Sequence, residues 1–158
     1  MLNEKDQKEL LAIAHQVYIE EGLFVNPFNL TIESMESESA SMRFTNRDSL
    51  LGSFRSPNLH GGAIATVLDT VGSLAVFSNM INKAKGESVL EKVMKLEQGD
   101  NRLGTVDMRI DYLRPGRGQS FIAKSWILRR GYVIAVTRME LYNDEQTLIA
   151  VGTGTYVV

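Results

Sequence analysis

Between residues 59 and 82 the only formal charge is Asp69. A run of that length and polarity constrains the fold more than any other feature of the chain. It is long enough to cross a bilayer. Yet it holds Gly61, Gly62 and Gly72, two threonines, two serines and two asparagines, and a charge at mid-span is costly in lipid. No membrane span is therefore expected. The run instead predicts a long helix over residues 61–81, buried inside a protein and covered on nearly all sides. A chain of 158 residues, 44% of them hydrophobic, has the material for such a cover.

The cover must come from strands. After the helix the hydrophobic period changes from 3.6 to 2. Thr105, Asp107, Arg109 and Asp111 alternate with Val106, Met108, Ile110 and Tyr112, which predicts a half-buried strand. Pro115, Gly116 and Gly118 end it. Further strands are expected over residues 119–128, 132–142 and 147–158, with turns at Arg129, Arg130 and Gly131 and at Asn143, Asp144 and Glu145. Their even spacing predicts an antiparallel meander.

Upstream, residues 28–33 and 40–44 read as two strand pieces around the acidic hairpin MESES, and residues 47–58 as a loop. Residues 4–22 read as a helix, with Leu10, Leu11, Ala14, Val17 and Tyr18 on one period and Gly22 stopping it. Asn26 and Pro27 mark a turn. Residues 83–100 read as a polar insertion with a short helix closed by Gly99. The expected whole is a single α+β domain over 1–158: a helical extension at 1–25, then a central helix wrapped by a sheet of five or six antiparallel strands.

Composition narrows the function. Lys plus Arg is 17 and Asp plus Glu is 19, a net charge of −2, so the bulk basic charge of many nucleic-acid binders is missing. Without cysteine there is no disulfide, no Cys-ligated zinc or iron–sulfur site and no thiol nucleophile. His15 and His60 are the only histidines, which argues against a multi-His metal site. No metal and no cofactor are expected. The start MLNEKDQKEL has no apolar leader, so a cytoplasmic location is expected.

On a helical wheel Ile64, Val67, Leu68, Val71, Leu74 and Ala75 form an apolar stripe. Gly62, Ala65, Thr66, Asp69, Gly72 and Ser73 form a second face of small residues with Asp69 at its middle. A carboxylate there must be hydrogen-bonded, paired or at work. A structural network satisfies that requirement as well as catalysis does. The helix opens with His60-Gly61-Gly62. Its first N–H groups are unpaired and sit at the positive end of the helix dipole, and glycine lets a carbonyl oxygen approach them. Such a place suits an oxyanion. Gly61 and Asp69 are eight residues apart, about 12 Å along one helix. A carbonyl at the first and a water at the second must lie closer than that. Two antiparallel helices from two chains solve the problem, which predicts a two-fold homodimer with shared sites.

The run HGGAIATVLD, with Asp69 nine residues after His60, resembles the hotdog-fold acyl-CoA thioesterases of the phenylacetate-pathway (PaaI-like) type. GTVDMRIDYLRPG, ILRRGYVIAVTRMELYND and LIAVGTGTYVV are similar to later strands of that family, in the same order. The resemblance implies a hotdog fold, dimers often paired into homotetramers, and hydrolysis of an acyl-CoA thioester carrying a fatty or aromatic acyl group. Coenzyme A then enters only as part of the substrate. It implies Asp69 as general base or nucleophile, Gly61 as oxyanion donor and Thr105 beside the water. The family's Asn or Gln before the His is replaced here by Phe54, with Asn58 and Asn46 as substitutes. Asn58, His60, Gly62 and Arg130 are the candidate substrate-binding residues, Arg130 because guanidinium pairs with phosphate. The alternatives are a non-catalytic acyl-CoA binder and a hotdog hydratase or dehydratase. The latter resembles a His-Phe-Pro start with a Glu fourteen residues on, where this chain has His-Gly-Gly and Leu74.

Overall fold

The computed structural model describes all residues except 1, 23, 54, 85–87 and 99–102. Helix α1 (Glu4–His15) starts at Asn3, whose side chain accepts the Asp6 N–H, and buries Leu10 and Ala14. The expected single helix over residues 4–22 is corrected here. Past His15 the backbone widens into a π turn, Gln16–Glu20. Phe28 likewise is not in a strand but closes a 3-10 turn, Asn26–Phe28. Pro27 presets the turn and Asn29 takes the left-handed conformation (φ 52°) that bends the chain into the sheet.

Strands β1 (Thr31–Met35) and β2 (Ser39–Thr45) form the acidic hairpin. The expected loop at 47–58 contains a small two-stranded ribbon, β3 (Leu51–Ser53) and β4 (Ser56–Leu59). Helix α2 (Gly61–Lys83) follows, and α3 (Val89–Gln98) lies within the polar segment; Gly99, expected to close it, is outside the described residues. Then come β5 (Gly104–Tyr112), β6 (Ser120–Arg130), β7 (Ile134–Asn143) and β8 (Leu148–Val157).

One six-stranded antiparallel sheet runs in the order β1-β2-β6-β7-β8-β5. The β6–β7–β8 meander is the expected one. Its first turn is tighter than expected: Arg129 and Arg130 are strand residues, paired with Val136 and Ala135, and Gly131 donates to the Ile134 carbonyl at 2.8 Å. β5 crosses to the far edge and pairs only with β8.

Period-2 burial gives the sheet one inner face. Phe121, Ala123 and Ser125 on β6 and Ala135, Thr137, Met139 and Leu141 on β7 point inward. Against them α2 lays Val67, Leu68, Val71 and Leu74. Phe44 stacks on Phe121 with ring centroids 5.3 Å apart. Each fully buried side chain of this kind stabilises by about 1.5–3 kcal/mol. Among the described residues α2 alone has the length and hydropathy to cross a membrane, and 72% of its most apolar window is buried inside the protein. This sheet curled around a central helix, with an extra helix before it, is the hotdog arrangement.

Candidate functional site

α2 begins at His60. Its Nδ1 accepts the Gly62 N–H at 2.9 Å, so the ring caps the helix and occupies that donor. The next amide back, Gly61 N–H, has no acceptor among the described residues. Tyr112 from β5 donates to the Gly61 carbonyl at 3.1 Å, and its ring stands beside the glycine. The start of α2 therefore presents one unspent N–H, next to an aromatic wall.

Two turns along, Asp69 is held from the sheet. Thr105 Oγ1 donates to Asp69 Oδ1 at 2.8 Å. Tyr156 OH lies 3.2 Å from the same oxygen and 3.2 Å from the Asp69 backbone carbonyl. Every hydrogen bond to the carboxylate among the described residues falls on Oδ1. Oδ2 is left for another partner.

The two donors are themselves cross-strand neighbours, Thr105 on β5 opposite Tyr156 on β8. Strict alternation puts Thr105 on the outer face with Asp107 and Arg109. The ladder corrects this: Thr105 pairs with Tyr156 and Asp107 with Thr155, so Val106 is an extra residue in a β-bulge. The bulge resets the parity of the strand. Thr105 turns to the helix while Met108 and Ile110, further along, still pack inward.

Farther along the same face Tyr18, from the π turn, shares a hydrogen bond with Ser73 Oγ at 2.9 Å, and its ring packs on Phe77 at 5.7 Å. Burial pushes the Tyr18 hydroxyl well above the ordinary tyrosine range, as does the nearby Asp69 charge. Tyr156 is pushed up for the same two reasons, burial first, and by its hydrogen bond to Asp69.

The remaining candidates lie apart from this network. Asn58 Oδ1 accepts from Arg117 Nε at 3.0 Å. Asn46 donates to the Gly118 carbonyl at 2.9 Å and so ties β2 to the β5–β6 connection. Phe54, the departure from the family pattern, is outside the described residues. Arg130 sits at the end of β6 with its Nε buried and without a hydrogen-bond partner. Among the described residues no three His, Asp or Glu side chains gather as a metal site. A groove of about 510 Å³ between the start of α1, β1 and Asn82 holds neither Gly61 nor Asp69.

Sequence reasoning missed Tyr156, Tyr112 and Tyr18. For Tyr156 a signal existed. Gly152 and Gly154 precede it on the same face of β8, and Gly72 faces it from α2. A Cβ on Gly72 would lie 2.2 Å from the Tyr156 hydroxyl, and one on Gly154 2.9 Å from its ring. The glycines make a slot for the phenol.

Residues 57–150 match the family model described as "Thioesterase superfamily". The chain is 36% identical over 151 residues to the medium/long-chain acyl-CoA thioesterase YigI of Escherichia coli, covering 96% of this chain and 95% of that protein. A crystal structure from Shewanella oneidensis, described as related to the thioesterase superfamily, superposes with TM-score 0.85 at 38% identity over 96% of this chain and 97% of that one. The PaaI protein from the phenylacetic acid degradation operon of E. coli shares the fold, with TM-score 0.74 at 20% identity over 96% and 94% of the two chains.

Proposed function

The chain belongs to the thioesterase superfamily and is a thioester hydrolase; from that premise we propose that it cleaves medium- or long-chain fatty acyl-CoA, or an aromatic acyl-CoA, into free acid and coenzyme A. The observation that carries the mechanism is the one-sided hold on Asp69. Its Oδ1 takes the Thr105 hydroxyl while Oδ2 is left for a water. In this reading the thioester carbonyl accepts the Gly61 N–H at the positive end of α2. Asp69 takes a proton from the water, whose oxygen bonds to the carbonyl carbon. The tetrahedral intermediate then expels the thiolate, which collects the proton as the thiol of coenzyme A.

Gly61 and Asp69 of one α2 remain about 12 Å apart, so the Gly61 of one chain serves the Asp69 of its twin. Two features support a homodimer. β5 is a sheet edge, and two of its apolar side chains are uncovered, Val106 at 59% and Tyr112 at 53% exposure. A bare edge of this kind calls for a cover, and a second copy supplies one together with the second half of the site. Pairing of two dimers into a tetramer belongs to the same reading. Asn58, His60 and Gly62 are assigned to the substrate beside Gly61, and Arg130 to a phosphate of the nucleotide end, since guanidinium pairs with phosphate.

Thiol release from a panel of short, long and aromatic acyl-CoAs tests this. Turnover peaking at medium or long chains, or at an aromatic group, is expected. Thermal stabilisation by acyl-CoA without thiol release anywhere in the panel would replace the hydrolase by a binding protein.

A further inference from the structure

Tyr156 has more built around it than a packing residue needs. It is wholly buried, yet it carries a hydroxyl, and that hydroxyl is brought against the carboxylate on α2. Gly72 gives up its side chain to admit the oxygen, and Gly154 gives up its own beside the ring. Met139 Sδ, at 3.6 Å from the hydroxyl, closes the slot from β7. The Val106 bulge brings Thr105 into register with Tyr156, so both donors reach the same oxygen from one cross-strand pair.

Resting on the assignment of Asp69 as general base, we propose that Tyr156 is a positioning residue for thioester hydrolysis: with Thr105 it pins Asp69 Oδ1 so that Oδ2 alone faces the water. The phenol touches neither substrate nor water. Its single proton is shared between Oδ1 and the Asp69 backbone carbonyl, which accounts for two long contacts rather than one short one. The shared bond couples the carboxylate's rotamer to the helix backbone, so the side chain cannot turn without losing both. The titratable groups beside Asp69 include Tyr156 itself and Tyr18 from the segment after α1, and burial pushes both hydroxyls above the ordinary tyrosine range.

The slot tolerates phenylalanine, so Tyr156→Phe in the full-length enzyme removes the hydroxyl alone. We expect kcat to fall about tenfold, the equivalent of one charge-assisted hydrogen bond, with KM within about twofold. The loss should fall on kcat and not on KM, because the carboxylate is still present and only its orientation is loosened. A merely structural tie lowers thermal stability and leaves kcat per folded molecule in place. Gly72→Ala displaces the same hydroxyl without deleting it and should lower kcat in the same way, again with KM little changed. In an Asp69→Asn background Tyr156→Phe should cost little more. Folded Tyr156→Phe enzyme with unchanged kcat overturns the proposal, provided Asp69→Asn is impaired. Full turnover in Asp69→Asn overturns the reading beneath it as well.

Discussion

The two halves of α2 share one helical backbone and live in opposite surroundings. From Leu74 to Ile81 every residue is buried, polar ones included. There the acidic hairpin folds over the helix and uses its polar groups: Ser78 donates to the Glu36 carbonyl and Asn79 to that of Ser37. Before Leu74 one stripe is left partly open, through Ala65, Thr66, Asp69, Thr70 and Ser73. The sheet covers the opposite side of this half and reaches this stripe at Asp69, through Thr105 and Tyr156. The difference teaches that low charge has two meanings in one helix. In the second half it marks enclosure. In the first half it marks a face kept small and accessible, where a carboxylate can be held and still reached.

Changes of similar size in the two halves should therefore do different things. Asp69→Asn is expected to lower turnover at least a hundredfold, since a general base supplies about 10²–10⁴-fold. Its melting temperature should stay close to that of the native protein. Leu74→Ala should do the reverse, costing about 2–5 kcal/mol by opening a cavity while turnover per folded molecule is kept. Urea unfolding and initial rates on both variants decide this. If Asp69→Asn unfolds as readily as Leu74→Ala, the division of labour along α2 is lost.

The boundary between the halves is marked by Tyr18 on Ser73, and it responds to alkali. Burial raises the folded-state value of Tyr18 above the unfolded value of about 10. Its contribution is thus complete below about pH 10 and lost as the pH rises beyond it, because only the unfolded chain can readily release the proton. Melting temperatures measured from pH 8 upward should fall above about pH 10, and Tyr18→Phe should fall less steeply. An identical slope in the two proteins would remove Tyr18 from the account.

The smallest effect is expected at the open end. His60→Ala frees the Gly62 N–H and removes a helix cap on an exposed residue. A loss of about 0.5–1 kcal/mol is expected in urea. A cost above that of Leu74→Ala would mean that the ring does more than cap.

Much of this was legible before any coordinates. The uncharged run announced α2, and the period-2 strands announced the meander. Those signals are local: a period of 3.6 or 2 is written in neighbouring residues, and burial requires it. The small face with Asp69 was legible for the same reason, as was the HGG start. Thr105 lies beyond what local pattern determines. Alternation alone puts it outward, and only the pairing with β8 reveals that Val106 is surplus and that Thr105 turns to the helix. Tyr156 is farther out of reach. It lies 87 residues from Asp69 in the chain, and nothing local ties the two together.

The order of the sheet was settled in three dimensions too. β5 could have continued the meander, but β6 is claimed by β2 on that side, so β5 pairs with β8 and becomes an edge. The sequence by itself determined which segments are helix and strand, which helix is central, and that one carboxylate sits among small residues on it. Tertiary structure alone decided which oxygen of that carboxylate is held and by whom, because hydrogen-bond partners are chosen by strand register, and register depends on contacts between residues far apart in the chain.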